Sequence, residues 1–205
     1  MLSPMSLVKL LPSSAFLFAL SVWLVLAAPS AIGSDGKAPA VLDDFSNAER
    51  TTAGAPRLII DDKTMGSQST AKQTCDQGVL AVQGELVPGR GVPAFISVPL
   101  LLTPDGKPRD LTGLEGVRLR VKLLKGSVAV QVGSTAITNF DFHTSAPITG
   151  KRGEFQEVRV PFKDMKRAWS EQTPLQLQAI TSVNLVVFGM ARDAFGYQVD
   201  EIGFY

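Results

Sequence analysis

The chain has 205 residues, with 20 lysines and arginines against 19 aspartates and glutamates, one histidine and one cysteine. A net charge of +1 leaves no basic excess to neutralise phosphates, so nucleic acid is not an expected partner. A single cysteine excludes an intramolecular disulfide and a thiolate-only zinc site, and a single histidine excludes two-histidine zinc motifs. The 45% of apolar residues is typical of an ordinary globular domain.

The N-terminal segment differs in composition from the rest of the chain. Lys9 is the only charged residue before Asp35, and residues 15–28 form an unbroken run of apolar and small residues. A short basic start followed by such a run is typical of a secretory signal peptide, and small residues favour cleavage after Gly33.

We therefore predict a signal peptide over 1–33, a flexible lead over 34–40 and one domain over 41–205. The protein is then exported to the periplasm or the extracellular space. The alternative is a retained membrane anchor over residues 10–34, which are uncharged, and only this alternative makes the membrane a partner.

The domain shows the alternation of apolar and polar residues that is typical of strands facing a core. Val117, Leu119 and Val121 alternate with cationic residues, and a second run follows across the turn at Lys125 and Gly126. Seven residues are expected to face inward: Val117, Leu119, Val121, Val128, Val130, Val158 and Val160. Strands are predicted over 78–83, 93–102, 117–121, 128–132, 135–142, 158–162, 179–189 and 195–204, with one short helix over 163–171. This pattern predicts an all-β fold, a β-sandwich of the jelly-roll or Greek-key type.

Three isolated motifs resemble parts of enzyme sites, but none of them indicates an enzyme. Residues 89–94 match a bare GxGxxA pattern, but a strand-like run follows where dinucleotide binding needs a helix. His143 and Asp141 lie two residues apart and could form an acid–base pair, although an exposed histidine at a strand end is the simpler interpretation. Cys75 has no neighbour in the sequence that would activate its thiol.

Acidic pairs stand near both ends of the domain, Asp43-Asp44 and Asp200-Glu201. The terminal strands of a sandwich often pair with each other, which would bring these carboxylates together. A structural Ca²⁺ held by Asp44 and Asp200 is therefore a hypothesis, and solvated charges at strand ends are the alternative. No other cofactor is predicted.

The loop from Asp61 to Ser69 is the most unusual polar segment. Gly66 is expected to adopt a positive φ, Asp62 to accept a hydrogen bond from a nearby amide, and Gln68 to be exposed. Met65 is expected either to plug the sandwich edge or to contact a ligand. The predicted binding residues are Asp61, Asp62, Met65, Gly66, Ser67, Gln68 and Ser69.

The string from Asp62 to Ser69 resembles the hallmark Asp-x-Val-Met-Gly-Gly-x-Ser of the complex I intermediate-associated protein 30 family, with Thr64 in place of Val and Ser67 in place of the second Gly. Further similarity follows in the family's order. It comprises Asp43-Asp44-Phe45, Gly78-Val79-Leu80, the segment 110–121, Val160-Pro161-Phe162 and the segment 195–202.

This resemblance implies a galactose-binding-like jelly roll that acts as a non-catalytic assembly module through a protein partner. Carbohydrate binding is the alternative, because related jelly rolls bind glycans. Sugar sites usually stack on tryptophan or tyrosine, and only three such residues follow residue 34, namely Trp169, Tyr197 and Tyr205. A hydrolase with two carboxylates is disfavoured, because Asp61 and Asp62 would face opposite ways on a strand.

Overall fold

The computed structural model describes residues 40–205. The predicted signal peptide over 1–33, the alternative anchor over 10–34 and nearly all of the predicted lead over 34–40 lie outside these residues. Across the described range, no helix has the length and hydropathy needed to cross a membrane.

The described chain is built from strands and three single-turn 3₁₀ helices, Lys63–Met65, Phe162–Asp164 and Leu177–Ala179. Eleven strands form two antiparallel sheets: β1 (Val41–Asp43), β2 (Ile60–Asp61), β3 (Thr70–Asp76), β4 (Val79–Leu86), β5 (Ala94–Leu101), β6 (Gly116–Lys125), β7 (Ala129–Ser134), β8 (His143–Thr144), β9 (Phe155–Pro161), β10 (Ile180–Gly189) and β11 (Asp193–Phe204). The six-stranded sheet has the order β3-β4-β11-β6-β9, with β1 also paired to β11. The five-stranded sheet has the order β2-β5-β10-β7-β8.

The first and last strands pair, as the sequence led us to expect. Val41 lies opposite Gly203 and Asp43 opposite Ile202, with an irregularity between the two pairs. Because β11 also pairs with β4 and β6, the C-terminal strand lies in the middle of its sheet.

The core lies between the sheets and follows the predicted alternation. Six of the seven residues expected inward are buried, and Val158 is half-buried against the same cluster. The positions that alternate with them on β6 (Arg118, Arg120 and Lys122) are less buried. The predicted all-β sandwich of the jelly-roll type is therefore confirmed.

Two predicted elements are wrong. Residues 163–171 form no helix beyond the turn Phe162–Asp164, because the backbone is extended again at Met165 and the N–H groups of residues 168–170 bond to the Asp141 carboxylate. The predicted strand over 135–142 is a series of turns, and pairing resumes only at β8.

The longest strand that was not predicted is β3, with seven residues. β3 pairs along its whole length with β4, although its sequence TAKQTCD is largely polar. Its side chains alternate between half-buried and exposed, because β3 is an edge strand with no wholly buried side chain. The hydrophobic signal used for the other strands is therefore absent here.

Candidate functional site

The loop that carries the family hallmark is organised around the fully buried carboxylate of Asp62. Asp62 Oδ1 accepts the backbone N–H of Ser69 at 3.0 Å, and Oδ2 accepts the backbone N–H of Phe95 at 2.9 Å. The Ser69 hydroxyl donates to Oδ2 at 2.5 Å and accepts from the backbone N–H of Val87 at 3.0 Å. Asp62 therefore joins its own loop to β5 directly and, through the Ser69 hydroxyl, to the residue that follows β4. The expectation that Asp62 accepts from amides is confirmed.

Ser67 makes a second connection of this kind. Its hydroxyl donates to the carbonyl of Pro93 at 3.3 Å and accepts the backbone N–H of Gly89 at 3.0 Å. Gly66 has a φ of +92°, as predicted, and this left-handed conformation ends the turn Lys63–Met65. Ser67 and Ser69 are both fully buried.

The remaining side chains of this loop point to solvent. Gln68 is exposed as expected, but Met65 is 58% exposed and does not plug the sandwich edge. Lys63 pairs with Asp61, and its hydrogen bond holds the pKa of that carboxyl below its usual value. Three of the seven predicted binding residues are fully buried and so cannot contact a ligand: Asp62, Ser67 and Ser69. The other four stay predictions: Asp61, Met65, Gly66 and Gln68.

The acidic pairs make contacts with protein groups. Asp43 is buried and forms an ion pair with Arg57 at 2.7 Å. Asp44 accepts the backbone N–H of Ser46 at 3.0 Å, and this bond lowers the pKa of Asp44. Both carboxylates therefore stabilise the loop that follows β1.

Two acidic residues of β11, Asp200 and Glu201, pair with arginines on the neighbouring strand β6. Asp200 lies 3.0 Å from Arg120, and Glu201 lies 2.5 Å from Arg118. Within residues 40–205 no three His, Cys, Asp or Glu side chains are grouped to hold a metal ion. Calcium shared by Asp44 and Asp200 stays a prediction, without support from this geometry.

The candidate acid–base pair does not form. Asp141 is buried and accepts the backbone N–H groups of residues 168–170. His143 is buried, not exposed as expected, and its Nε2 lies 2.6 Å from the carbonyl oxygen of Thr173. The Cys75 thiol donates to the carbonyl of Phe45 at 3.1 Å, and burial raises its pKa, as suits an unreactive thiol.

The outer face of the five-stranded sheet is the most distinctive surface of the domain, and we call it the recessed face. On β10, Val183, Leu185 and Val187 belong to the core, so Ser182, Asn184 and Val186 point the other way. These outward side chains are nevertheless buried, Asn184 being only 6% exposed. Side chains of this kind form a floor that lies below the surrounding surface.

A ladder of polar side chains crosses three adjacent strands of the recessed face. Asn184 lies opposite Gln131 of β7, which lies opposite Thr144 of β8. The Asn184 amide donates to Gln131 Oε1 at 3.3 Å, and the Gln131 amide donates to Thr144 Oγ1 at 3.1 Å. The Thr144 hydroxyl donates to the carbonyl of Phe142 at 3.0 Å. Asn184 Oδ1 is buried without a hydrogen-bond donor among the described residues.

Apolar side chains border the other end of the recessed face. Phe95 of β5 lies opposite Phe188 of β10, and Ile60 of β2 lies opposite Ser97. Phe188 and Ile60 are both about half exposed. The recessed face thus combines a polar floor with an apolar rim, a composition typical of ligand-binding surfaces.

The recessed face was not predicted from the sequence. The segment 179–189 was predicted as a strand, and the polar residues Ser182 and Asn184 within its apolar run were the signal that could have marked the outward face. Their partners on β5 and β7 follow only from the register, which the sequence did not give.

Comparison with solved structures finds the same fold in carbohydrate-binding proteins. A family 11 carbohydrate-binding module of a cellulosomal cellulase from Clostridium thermocellum matches with a TM-score of 0.56 and 16% identity, over 80% of this chain and 92% of that chain. The module from the same organism in complex with a β-1,3-1,4-mixed-linked tetrasaccharide matches with a TM-score of 0.55 and 16% identity, over 80% and 93%. An agarase matches with a TM-score of 0.50 and 12% identity, over 80% of this chain and 24% of that chain.

Comparison with curated proteins finds no match. The model of the complex I intermediate-associated protein 30 family matches residues 44–199, which is most of the chain and includes the hallmark loop. The resemblance read from the sequence is thereby confirmed, and the chain belongs to the complex I intermediate-associated protein 30 family.

Proposed function

We propose that this protein is a non-catalytic binding module that holds a glycan chain on the recessed face. The observation that carries the proposal is the ladder of Asn184, Gln131 and Thr144, whose first acceptor is buried and unpaired within residues 40–205. A buried acceptor without a donor costs free energy, and a ligand hydroxyl that reaches the floor would supply the donor.

The chemistry of the ladder suits a sugar. Amide and hydroxyl side chains both donate and accept, as do the hydroxyls of a glycan. The ladder crosses strands about 4.8 Å apart, so its three members span about 10 Å, more than one sugar ring. The fold shared with modules that bind glycans supports this class of ligand.

Catalysis is not part of the proposal. The acid–base pair considered from the sequence does not form, since Asp141 and His143 bond to separate backbone groups. Asp62 is enclosed by its amide partners, and Asp61 pairs with a lysine. The agarase that shares the fold contains it as about a quarter of its chain, which is consistent with an accessory role.

A protein partner is the second candidate. The family is named for association with complex I intermediates. The observation that favours a protein here is the group of exposed apolar side chains Ile60, Phe188 and Met190, at and beyond the rim of the recessed face. A pull-down from the native envelope that recovers a partner with the wild type but not with Phe188→Ala would favour this candidate over the glycan.

We infer export from the predicted signal peptide over 1–33. N-terminal sequencing of protein recovered from the producing cells tests this inference. A mature chain beginning at Ser34 is expected, whereas a chain retaining residues 10–34 in the membrane fraction would favour the anchor.

Binding to soluble mixed-linked β-1,3-1,4-glucan and to agarose, measured by affinity electrophoresis and calorimetry, tests the glycan proposal. Gln131→Ala is expected to weaken binding by about 1 kcal/mol, roughly fivefold in Kd, because it removes the central hydrogen-bonding side chain. Gln198→Ala is the matched control, since Gln198 is also a half-buried glutamine but lies on the six-stranded sheet.

The two possible failures of the glycan proposal differ in meaning. If the wild type binds neither polysaccharide, glycan binding of this class is wrong. If Gln131→Ala and Gln198→Ala bind as tightly as each other, the ligand lies elsewhere and the recessed face is not the site.

A further inference from the structure

Two aromatic side chains are unusually exposed for their size. Phe140 is 77% and Trp169 is 72% exposed. They lie on two loops that are bonded to each other, since the Asn139 amide donates to the Ser170 hydroxyl at 2.9 Å. Isolated exposed apolar residues are ordinary, whereas these two stand on loops that are bonded to each other.

A buried carboxylate fixes the backbone beneath Trp169. Asp141 accepts three consecutive backbone N–H groups, those of Ala168 at 2.8 Å, Trp169 at 3.0 Å and Ser170 at 2.6 Å. Burial alone would raise the pKa of Asp141, but these amides outweigh it and hold the pKa below its usual value. The loop is therefore anchored at the residue that carries the indole.

The backbone at Phe140 is strained. Its φ is +61°, one of only three left-handed non-glycine residues in the described range. Such a conformation costs free energy for a residue with a Cβ, and strain of this kind clusters at functional sites. Arg167 stabilises the conformation by donating to the carbonyl of Asp141 at 3.1 Å and to Asn139 Oδ1 at 2.9 Å.

Both loops adjoin the recessed face at strand β8. Thr144, the last residue of the polar ladder, exchanges two backbone hydrogen bonds with Lys166, at 2.9 and 3.0 Å. The segment that leads to Trp169 therefore pairs with the edge of the sheet, next to the ladder. From Asn184 to Lys166 the surface crosses three strand spacings, about 14 Å.

We infer that Trp169 and Phe140 form an aromatic platform that stacks on sugar rings of a glycan chain whose hydroxyls bond to the ladder. This inference rests on the proposed function and adds the residues that select an extended oligosaccharide over a single sugar. Because the backbone that carries both rings is already anchored, less conformational freedom is lost on binding, and the anchored loops favour affinity.

Binding of the mixed-linked β-1,3-1,4-glucan and agarose probes by the full chain carrying Trp23→Phe tests the platform, because Trp169 is then the sole tryptophan. Ligand is expected to shift the Trp169 emission and to protect it from acrylamide quenching. Trp169→Ala should weaken binding about tenfold or more and leave the melting temperature unchanged, since the side chain is exposed. Leu124→Ala is the control, an exposed apolar residue on the six-stranded sheet, and should bind normally.

The outcomes separate the platform from the proposed function. If Gln131→Ala loses affinity while Trp169→Ala binds normally and the emission does not change, the platform is wrong and the recessed face stands. If no glycan binds, both are wrong. If Trp169 responds to a captured protein and to no glycan, the loops are a protein interface and the inference is overturned.

Discussion

Replacing Asp62 with alanine should lower the free energy of unfolding by about 3 kcal/mol. The substitution removes the acceptor of two backbone N–H groups, those of Ser69 and Phe95, in a region where Asp62 itself is fully buried. A buried donor left without an acceptor costs about 1–3 kcal/mol, so two such donors give roughly 2–6 kcal/mol. Removing a buried charge offsets part of this loss, which places the expectation in the lower half of that range.

Urea unfolding followed by far-ultraviolet circular dichroism measures this change. A loss of about 3 kcal/mol corresponds to a fall in melting temperature of about 6–12 °C for a domain of this size. Gln68→Ala is the matched control from the same loop, and its exposed side chain should contribute less than about 0.5 kcal/mol. If Asp62→Ala unfolds within about 0.5 kcal/mol of the wild type, the carboxylate does not hold the loop and the argument fails.

Four further predictions follow from single groups. Leu119→Asp should abolish the folded circular dichroism spectrum, because it places an unpaired carboxylate in the core; a cooperative melt like that of the wild type would refute the inward assignment. Tyr197→Phe should raise the free energy of unfolding by about 1 kcal/mol in urea titrations, since the Tyr197 hydroxyl is buried and unpaired within residues 40–205. A lower free energy of unfolding would mean that the hydroxyl has a hydrogen-bond partner in the folded protein. Asp141 has a lowered pKa in the folded state, so its contribution to the free energy of unfolding is complete at neutral pH and is lost as pH falls below about 4. Asp141→Asn should therefore be less stable than the wild type at pH 7 and should lose less stability on acidification. Parallel curves of stability against pH for the two proteins would contradict this. If Asp44 and Asp200 bind calcium, millimolar Ca²⁺ should raise the melting temperature relative to chelator, and an unchanged value removes the site.

The fold was predictable because its core strands alternate strongly. Val117, Leu119 and Val121 are buried between positions that carry arginine or lysine, and this pattern permits only one orientation of β6. β3 was not predicted, because its residues are polar and its extended conformation is stabilised by hydrogen bonds with β4. The sequence of β3 contains no local pattern that predicts this pairing.

The candidate site was less predictable, because its residues meet only through the sheet register. Gln131 and Asn184 are 53 positions apart, and their contact depends on how β7 aligns with β10. Each looks like an ordinary polar residue in its own segment. The same is true of Asp141, whose amide partners lie 27 to 29 residues further along the chain.

The hallmark loop attracts attention in the sequence because it is densely polar, yet much of that polarity is turned inward. Asp62 Oδ2 accepts the backbone N–H of Phe95, and Phe95 lies opposite Phe188 at the rim of the recessed face. Asp62 therefore positions the rim strand without being able to touch a ligand. A dense polar motif can thus act structurally by holding β5 at one edge of the recessed face. The side chains proposed to meet a ligand lie elsewhere on that face, on β10, β7 and β8.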